Sequence, residues 1–228
     1  MRRLLIIIFC AFLSMNTFAQ AGFEGTIQFK VKISGKEFDR YSKAFPESIQ
    51  LKIRGHNMRG KTSGGQITSL MSGFIFDGDH KTAYVLSDAF QTAFKLKSAD
   101  FNEDSKTHST KFSIEKTGET QSIVGYNCEK YVAKEEGNSS TIIIWATEDF
   151  TIAKPTNLAN LTGNIFLEGV KGFPLKVTTI QNETTMLVEV ADIRKEPVDG
   201  SSFEIPSGYR IQDFDFNMFN AMLPNAGN

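Results

Sequence analysis

The chain has 228 residues, with 25 basic and 26 acidic side chains, a net charge of −1, and 40% hydrophobic and 11% aromatic content. Nearly neutral charge with interspersed signs excludes the basic footprint of a nucleic-acid binder or of a protein held on an anionic membrane. A chain of this size can bury roughly 70% of its unfolded surface, so one large domain is feasible.

The first residues read as an export signal. Arg2 and Arg3 form a basic n-region, residues 4–13 an apolar h-region, and Thr17-Phe18-Ala19 places small residues at −3 and −1 for cleavage before Gln20. A cut after Ala21 is the alternative. The apolar run is shorter than the roughly 20 residues that span a bilayer, and no second one follows, so no transmembrane span is expected in the mature chain. Cleavage removes only Arg2 and Arg3 among the charges, and three of the 20 phenylalanines. Cys10 leaves with the signal, and Phe9 precedes it where a lipidation box needs a small residue. The mature protein is therefore expected to be periplasmic or secreted and not lipid-anchored. Cys128 is then its one thiol, expected to be buried as a small apolar side chain.

From Phe23 onward the pattern is that of strands. Phe23, Ile27, Phe29, Val31 and Ile33 alternate with polar residues, a period of two with one wet and one buried face. Ile49, Leu51 and Ile53 repeat it. Further strands are predicted around 67–76, 82–86 and 92–96, near Phe112 and Ile114, and at 122–124, 126–133, 141–146, 175–180 and 186–193. Asp77-Gly78, Gly118, Gly137-Asn138 and Gln181-Asn182-Glu183 supply turns. Ten or eleven short strands at this spacing predict a mainly β, antiparallel sandwich, barrel or partly closed barrel, not βαβ units. Helical spacing is confined to Phe38, Tyr41 and Phe45 before Pro46, and to Leu158, Leu161 and Ile165 within 155–166. Residues 97–109 are polar and read as a long loop. With no linker to divide it, the chain is expected to be a signal peptide, 1–19, followed by one domain, 20–228.

Residues able to do chemistry form no constellation. His56, His80 and His108 lie far apart with no metal-ligand spacing, and Asp77-Gly78-Asp79-His80 reads as a turn. No G-x-S-x-G elbow occurs. Glu135, Glu136, Glu148 and Asp149 could be paired on paper, as in nearly any sequence. Sequons at Asn138, Asn160 and Asn182 read as ordinary loop composition. No catalytic residue, metal or cofactor is expected, and the protein is read as not an enzyme.

What is in excess is apolar surface. A sheet with Phe29, Leu51, Ile53 and Phe94 on one face needs a cover; with Trp145, these are the candidate ligand-lining residues, chosen by strand phase. The tail, 213–228, carries Phe214, Phe216, Phe219 and Leu223, the candidate lid over that face. Expected partners are a lipid or lipoprotein acyl chain, or another envelope protein. The alternative reading is an envelope structural or interaction module with a filled core and no ligand.

Four motifs in order sharpen the picture: Gly125-Tyr126-Asn127-Cys128-Glu129-Lys130-Tyr131; Trp145 to Asp149 at a strand end; Lys171-Gly172-Phe173-Pro174-Leu175; and Phe203-Glu204-Ile205-Pro206-Ser207-Gly208-Tyr209. Their order resembles a family of exported Bacteroidota proteins of unknown function, usually grouped with the LolA/LolB-like lipoprotein carriers, over roughly residues 23–212. The resemblance implies a LolA-like half-barrel, a single curved antiparallel sheet with short capping helices, in which carriers of that kind hold acyl chains. Each motif is also a packing device in itself, and none is reactive.

Overall fold

The computed structural model describes residues 22–35, 43–96, 112–137, 139–152, 167 and 169–214. Twelve strands follow one another: β1 (Gly25–Ser34), β2 (Ser48–Arg54), β3 (Asn57–Ser63), β4 (Gly73–Asp77), β5 (Thr82–Ser87), β6 (Thr92–Lys95), β7 (Phe112–Ile123), β8 (Tyr126–Glu135), β9 (Thr141–Thr147), β10 (Phe173–Gln181), β11 (Thr184–Lys195) and β12 (Arg210–Asp213). They form one sheet in the order β12-β6-β5-β4-β3-β2-β1-β11-β10-β9-β8-β7. The protein is mainly β, and its sheet is open and curved, with β12 and β7 as its edges.

Two meanders build this sheet, β1–β6 and β7–β11, and the pairing of β1 with β11 joins them. Tight turns make the meanders possible. Gly55 (φ 58°) opens the two-residue turn between β2 and β3. Val124 and Gly125 (φ 44° and 87°) close the β7–β8 hairpin in the left-handed region, the twist that two-residue hairpins require. Curvature comes from register breaks in the second meander. Ala191 is left between the pairs Gln28–Asp192 and Phe29–Val190, and Leu175 between Pro174–Ala146 and Lys176–Trp145. A third break falls between Lys116 and Thr120 of β7. Each extra residue bends its strand and increases local twist.

Several expectations are corrected here. Among the described residues the strands number twelve: β3 and β12 carry too few apolar residues to show a period of two, and the two segments near 112 and 122 are one strand, β7. The sheet is not wholly antiparallel, because β12 runs parallel to β6. The strand expected from 67 begins only at Gly73, after a 3-10 turn at Gln66–Ser69. Among the described residues there is no α-helix, only that turn and another at Gly200–Phe203. Of the helices expected over 38–45 and 155–166, residues 38–42 and 155–166 lie outside the described part, as does the loop expected at 97–109, while residues 43–45 form a turn and bend. At Asp77-Gly78 the reason for glycine also differs. The left-handed residue of that turn is Lys81 (φ 53°), whereas a Cβ on Gly78 would stand 2.3 Å from the His56 carbonyl oxygen of the neighbouring turn.

The parallel strand has a cause in the last motif. Between β11 and β12 the chain crosses the back of the sheet as a strap. Arg54 Nη1 donates to the Val198 carbonyl at 3.2 Å, and Arg59 Nη1 to those of Ser202 and Glu204 at 3.2 and 3.1 Å. Ile205 and Tyr209 pack on Ile75, Leu86 and Ala93, which face away from Phe74, Val85 and Phe94. Tyr209 Oη donates to Asp88. A chain led across the sheet in this way arrives at β6 in its own direction.

Candidate functional site

Registers across the sheet align one apolar row. Phe94 stands opposite Val85, Val85 opposite Phe74, Phe74 opposite Gly60, Gly60 opposite Leu51, Leu51 opposite Ile27, and Ile27 opposite Ile193. Seven strands thus contribute to one line, six of them with a side chain, and none of these is an acid, base or nucleophile. A second row, Ala83–Phe76–Met58–Ile53, runs beside it. Gly60 interrupts the first row for a reason: a Cβ there would lie 2.2 Å from Phe74 Cε1, so the Phe74 ring occupies the space that glycine leaves.

Of the five candidate lining residues, four share this face. Phe29, Leu51, Ile53 and Phe94 are 6%, 6%, 0% and 8% exposed, so side chains already cover them. Trp145 is out of phase with that row, yet it packs against the cluster that contains Phe29, Leu51 and Ile53. Its neighbour Ile144 stands in the row through Val177 and Val188 to Val31, and Trp145 lies opposite Lys130 and Lys176 instead. Half-buried, it holds Lys130 Nζ 5.7 Å from its ring. Strand phase counted within β9 alone could not show this, because Ile142, Ile143 and Ile144 make both faces of that strand apolar.

The cover comes from several places. Leu167 and Val170 pack on Tyr131, Ile144 and Val177. An aromatic group closes on Phe29: Phe173 at 6.3 Å, Phe150 at 5.4 Å from Phe173, and Phe23 at 4.9 Å from Phe150. Lys195 Nζ lies 5.7 Å from the Tyr126 ring and 6.0 Å from that of Phe150. Sequence reasoning placed Phe23 on the first strand but missed its partners, because Phe150 and Phe173 meet it only through the order β1-β11-β10-β9, in which two strands separate β1 from β9. At the other margin, Phe214 packs edge-on against Phe94 at 6.4 Å. The remaining candidate lid residues, Phe216, Phe219 and Leu223, lie outside the described residues.

The reactive side chains serve turns and packing. Cys128 is fully buried, and burial pushes its thiol up to about 11, with Asp149 adding to the effect. Asp149 accepts from the Asn127 amide at 3.2 Å. His80 Nδ1 meets Asp77 Oδ2 at 2.7 Å within the β4–β5 turn, and His56 Nδ1 meets Asp79 Oδ1 at 3.2 Å across two adjacent hairpin tips. Among the described residues, no group of three or more His, Cys, Asp or Glu is placed to hold a metal ion, and no helix is long and apolar enough to cross a membrane.

Residues 23–209 match the family described as a domain of unknown function, DUF4412. The chain belongs to that family. No curated protein matches it. Among solved structures, an uncharacterized conserved protein from Thermus thermophilus is similar at 8% identity and a TM-score of 0.47, over 84% of this chain and 91% of that one. The lipoprotein LppX of Mycobacterium tuberculosis is similar at 14% identity and a TM-score of 0.35, over 77% and 89%. PNGF-II is similar at 16% identity and a TM-score of 0.48 over 87% of this chain, which spans about a third of PNGF-II (32%). These likenesses assign no activity to this member of the family.

Proposed function

We propose that this protein is exported, is not an enzyme, and holds an acyl chain or similar apolar ligand against the Phe94–Leu51 row of its sheet. The observation that carries this reading is the row itself. Seven strands of a single sheet contribute to one apolar line, with the Phe74 ring filling the place over Gly60, and among the described residues no second sheet packs on it. A one-layer sheet must bury its apolar face under loops, tail or ligand, and side chains without hydrogen-bonding groups suit a hydrocarbon. In this reading the export signal is cut after Ala19 and no lipid is attached, so intact mass gives an N-terminus at Gln20.

A second reading has an observation of its own. The near-complete burial of Phe29, Leu51, Ile53 and Phe94 favours a filled core, and with it an envelope interaction or structural module. Titration with the fluorescent fatty acid cis-parinaric acid separates the two. Saturable uptake at about one probe per chain supports the ligand reading; fluorescence no greater than that with a protein of comparable size supports the filled core.

A further inference from the structure

The second apolar row of the face ends on a charge. Ala83, Phe76, Met58 and Ile53 stand opposite one another in turn, Ile53 stands opposite Gly25, and Gly25 opposite Lys195. Residues directly opposite across a sheet share a face, so Lys195, the last residue of β11, lies on the side of the apolar residues. Its ring contacts agree. Lys195 Nζ lies 5.7 Å from the Tyr126 ring and 6.0 Å from that of Phe150, and both rings belong to the cluster that contains Ile27, Leu51 and Ile53. At Gly25 no side chain intervenes: a Cβ there would stand 2.0 Å from the Arg194 carbonyl oxygen and 3.0 Å from Phe23 Cζ. The step from Ile53 to Lys195 is therefore bordered by the Phe23 ring.

Lys195 is exposed and has rings beside it but, among the described residues, no carboxylate paired with it. The charges next to it in sequence are engaged with one another: Arg194 meets Asp192 at 3.3 Å and Glu196 at 3.9 Å, and Glu196 also accepts from Thr26 Oγ1 at 2.8 Å. A cation held against aromatic rings by their quadrupole keeps all three of its N–H donors. An ammonium so placed, at the end of an apolar row, is complementary to one negative charge on a hydrocarbon tail. From Ala83 to Lys195 there are five gaps between strands, about 24 Å along the sheet at the usual spacing, which suits an extended chain better than a compact ligand. We propose that Lys195 receives the carboxylate of a fatty acid whose tail lies along the apolar rows. This rests on the ligand reading above and adds to it the charge of the ligand and the residue that reads that charge.

The test titrates two probes, cis-parinaric acid and its uncharged methyl ester, at pH 8 into the full-length protein and its Lys195→Gln variant. Because Lys195 is exposed at a strand end, the variant keeps the fold, which circular dichroism checks. A charge-assisted hydrogen bond predicts that the unmodified protein binds the acid about tenfold more tightly than the ester. Lys195→Gln then removes that preference by weakening the acid alone, with the ester bound as before. Equal affinity for acid and ester in the unmodified protein, or a preference for the acid that survives Lys195→Gln, overturns the role of Lys195 and leaves the ligand reading standing. Uptake of neither probe by the unmodified protein overturns both.

Discussion

Gly172 and Gly125 hold nearly the same backbone angle, φ 82° and 87°, in different surroundings. A Cβ on Gly125 would meet nothing within 4 Å, while one on Gly172 would stand 2.1 Å from the Thr147 carbonyl oxygen. Alanine at 125 therefore pays only for the left-handed conformation, about 1–2 kcal/mol. Alanine at 172 adds a backbone collision of the kind that costs about 1–3 kcal/mol more. Urea denaturation should show G172A clearly less stable than G125A; equal losses would mean that the close approach at 172 relaxes freely. Cys128 gives a second test at this scale. Its thiol is raised to about 11, so the folded state favours the neutral form. That contribution is complete below the unfolded thiol's pKa and is lost as pH rises from there through about 11. Native protein at pH 8 should resist a thiol reagent that reacts at once in denaturant, and C128A should flatten the fall in stability between pH 9 and 11.

At the scale of elements, the strap decides where β12 lies. Arg59 donates to two carbonyls of the strap, and burial lowers its pKa despite Tyr209 and Asp88 nearby. R59A should therefore loosen 200–209 and, because the strap feeds β12, lower hydrogen-exchange protection there as well. Removing two charge-assisted bonds at a half-buried site should cost about 1–3 kcal/mol. Protection in β12 unchanged by R59A would mean that β12 is held by β6 alone. The strap also shows what the motif from Phe203 to Tyr209 encodes. Its residue types announced a packing device, while the place it packs, on the far face of β4–β6, is a non-local fact that spacing does not contain.

Over the whole molecule, legibility in the sequence followed contrast. β1 and β2 alternate apolar and polar residues and β6 keeps Phe94 in phase with Leu96, so Phe29, Leu51, Ile53 and Phe94 could be assigned to one face. β9 has no such contrast, so its pattern does not tell that Ile144 stands in the row through Val177 and Val188 while Trp145 reaches the same cluster out of phase. β3 shows one large apolar residue, Met58, because Phe74 fills the space over Gly60; a strand completed by its neighbour's ring carries almost no signal of its own. The register breaks at Leu175 and Ala191, which bend the sheet, likewise depend on pairing partners far away in sequence. What could be read was the excess of apolar side chains over what one sheet can bury unaided.

That excess is the basis of the central claim, that the apolar face holds a ligand. The most direct measurement is mass spectrometry of an organic extract from protein exported to a bacterial periplasm and purified without detergent. The ligand reading predicts a fatty acid or phospholipid at about one molecule per chain, and less of it when Phe94 is replaced by a charged residue in a variant that still folds. An extract with no lipid above that of an unrelated exported protein prepared in the same way would contradict it.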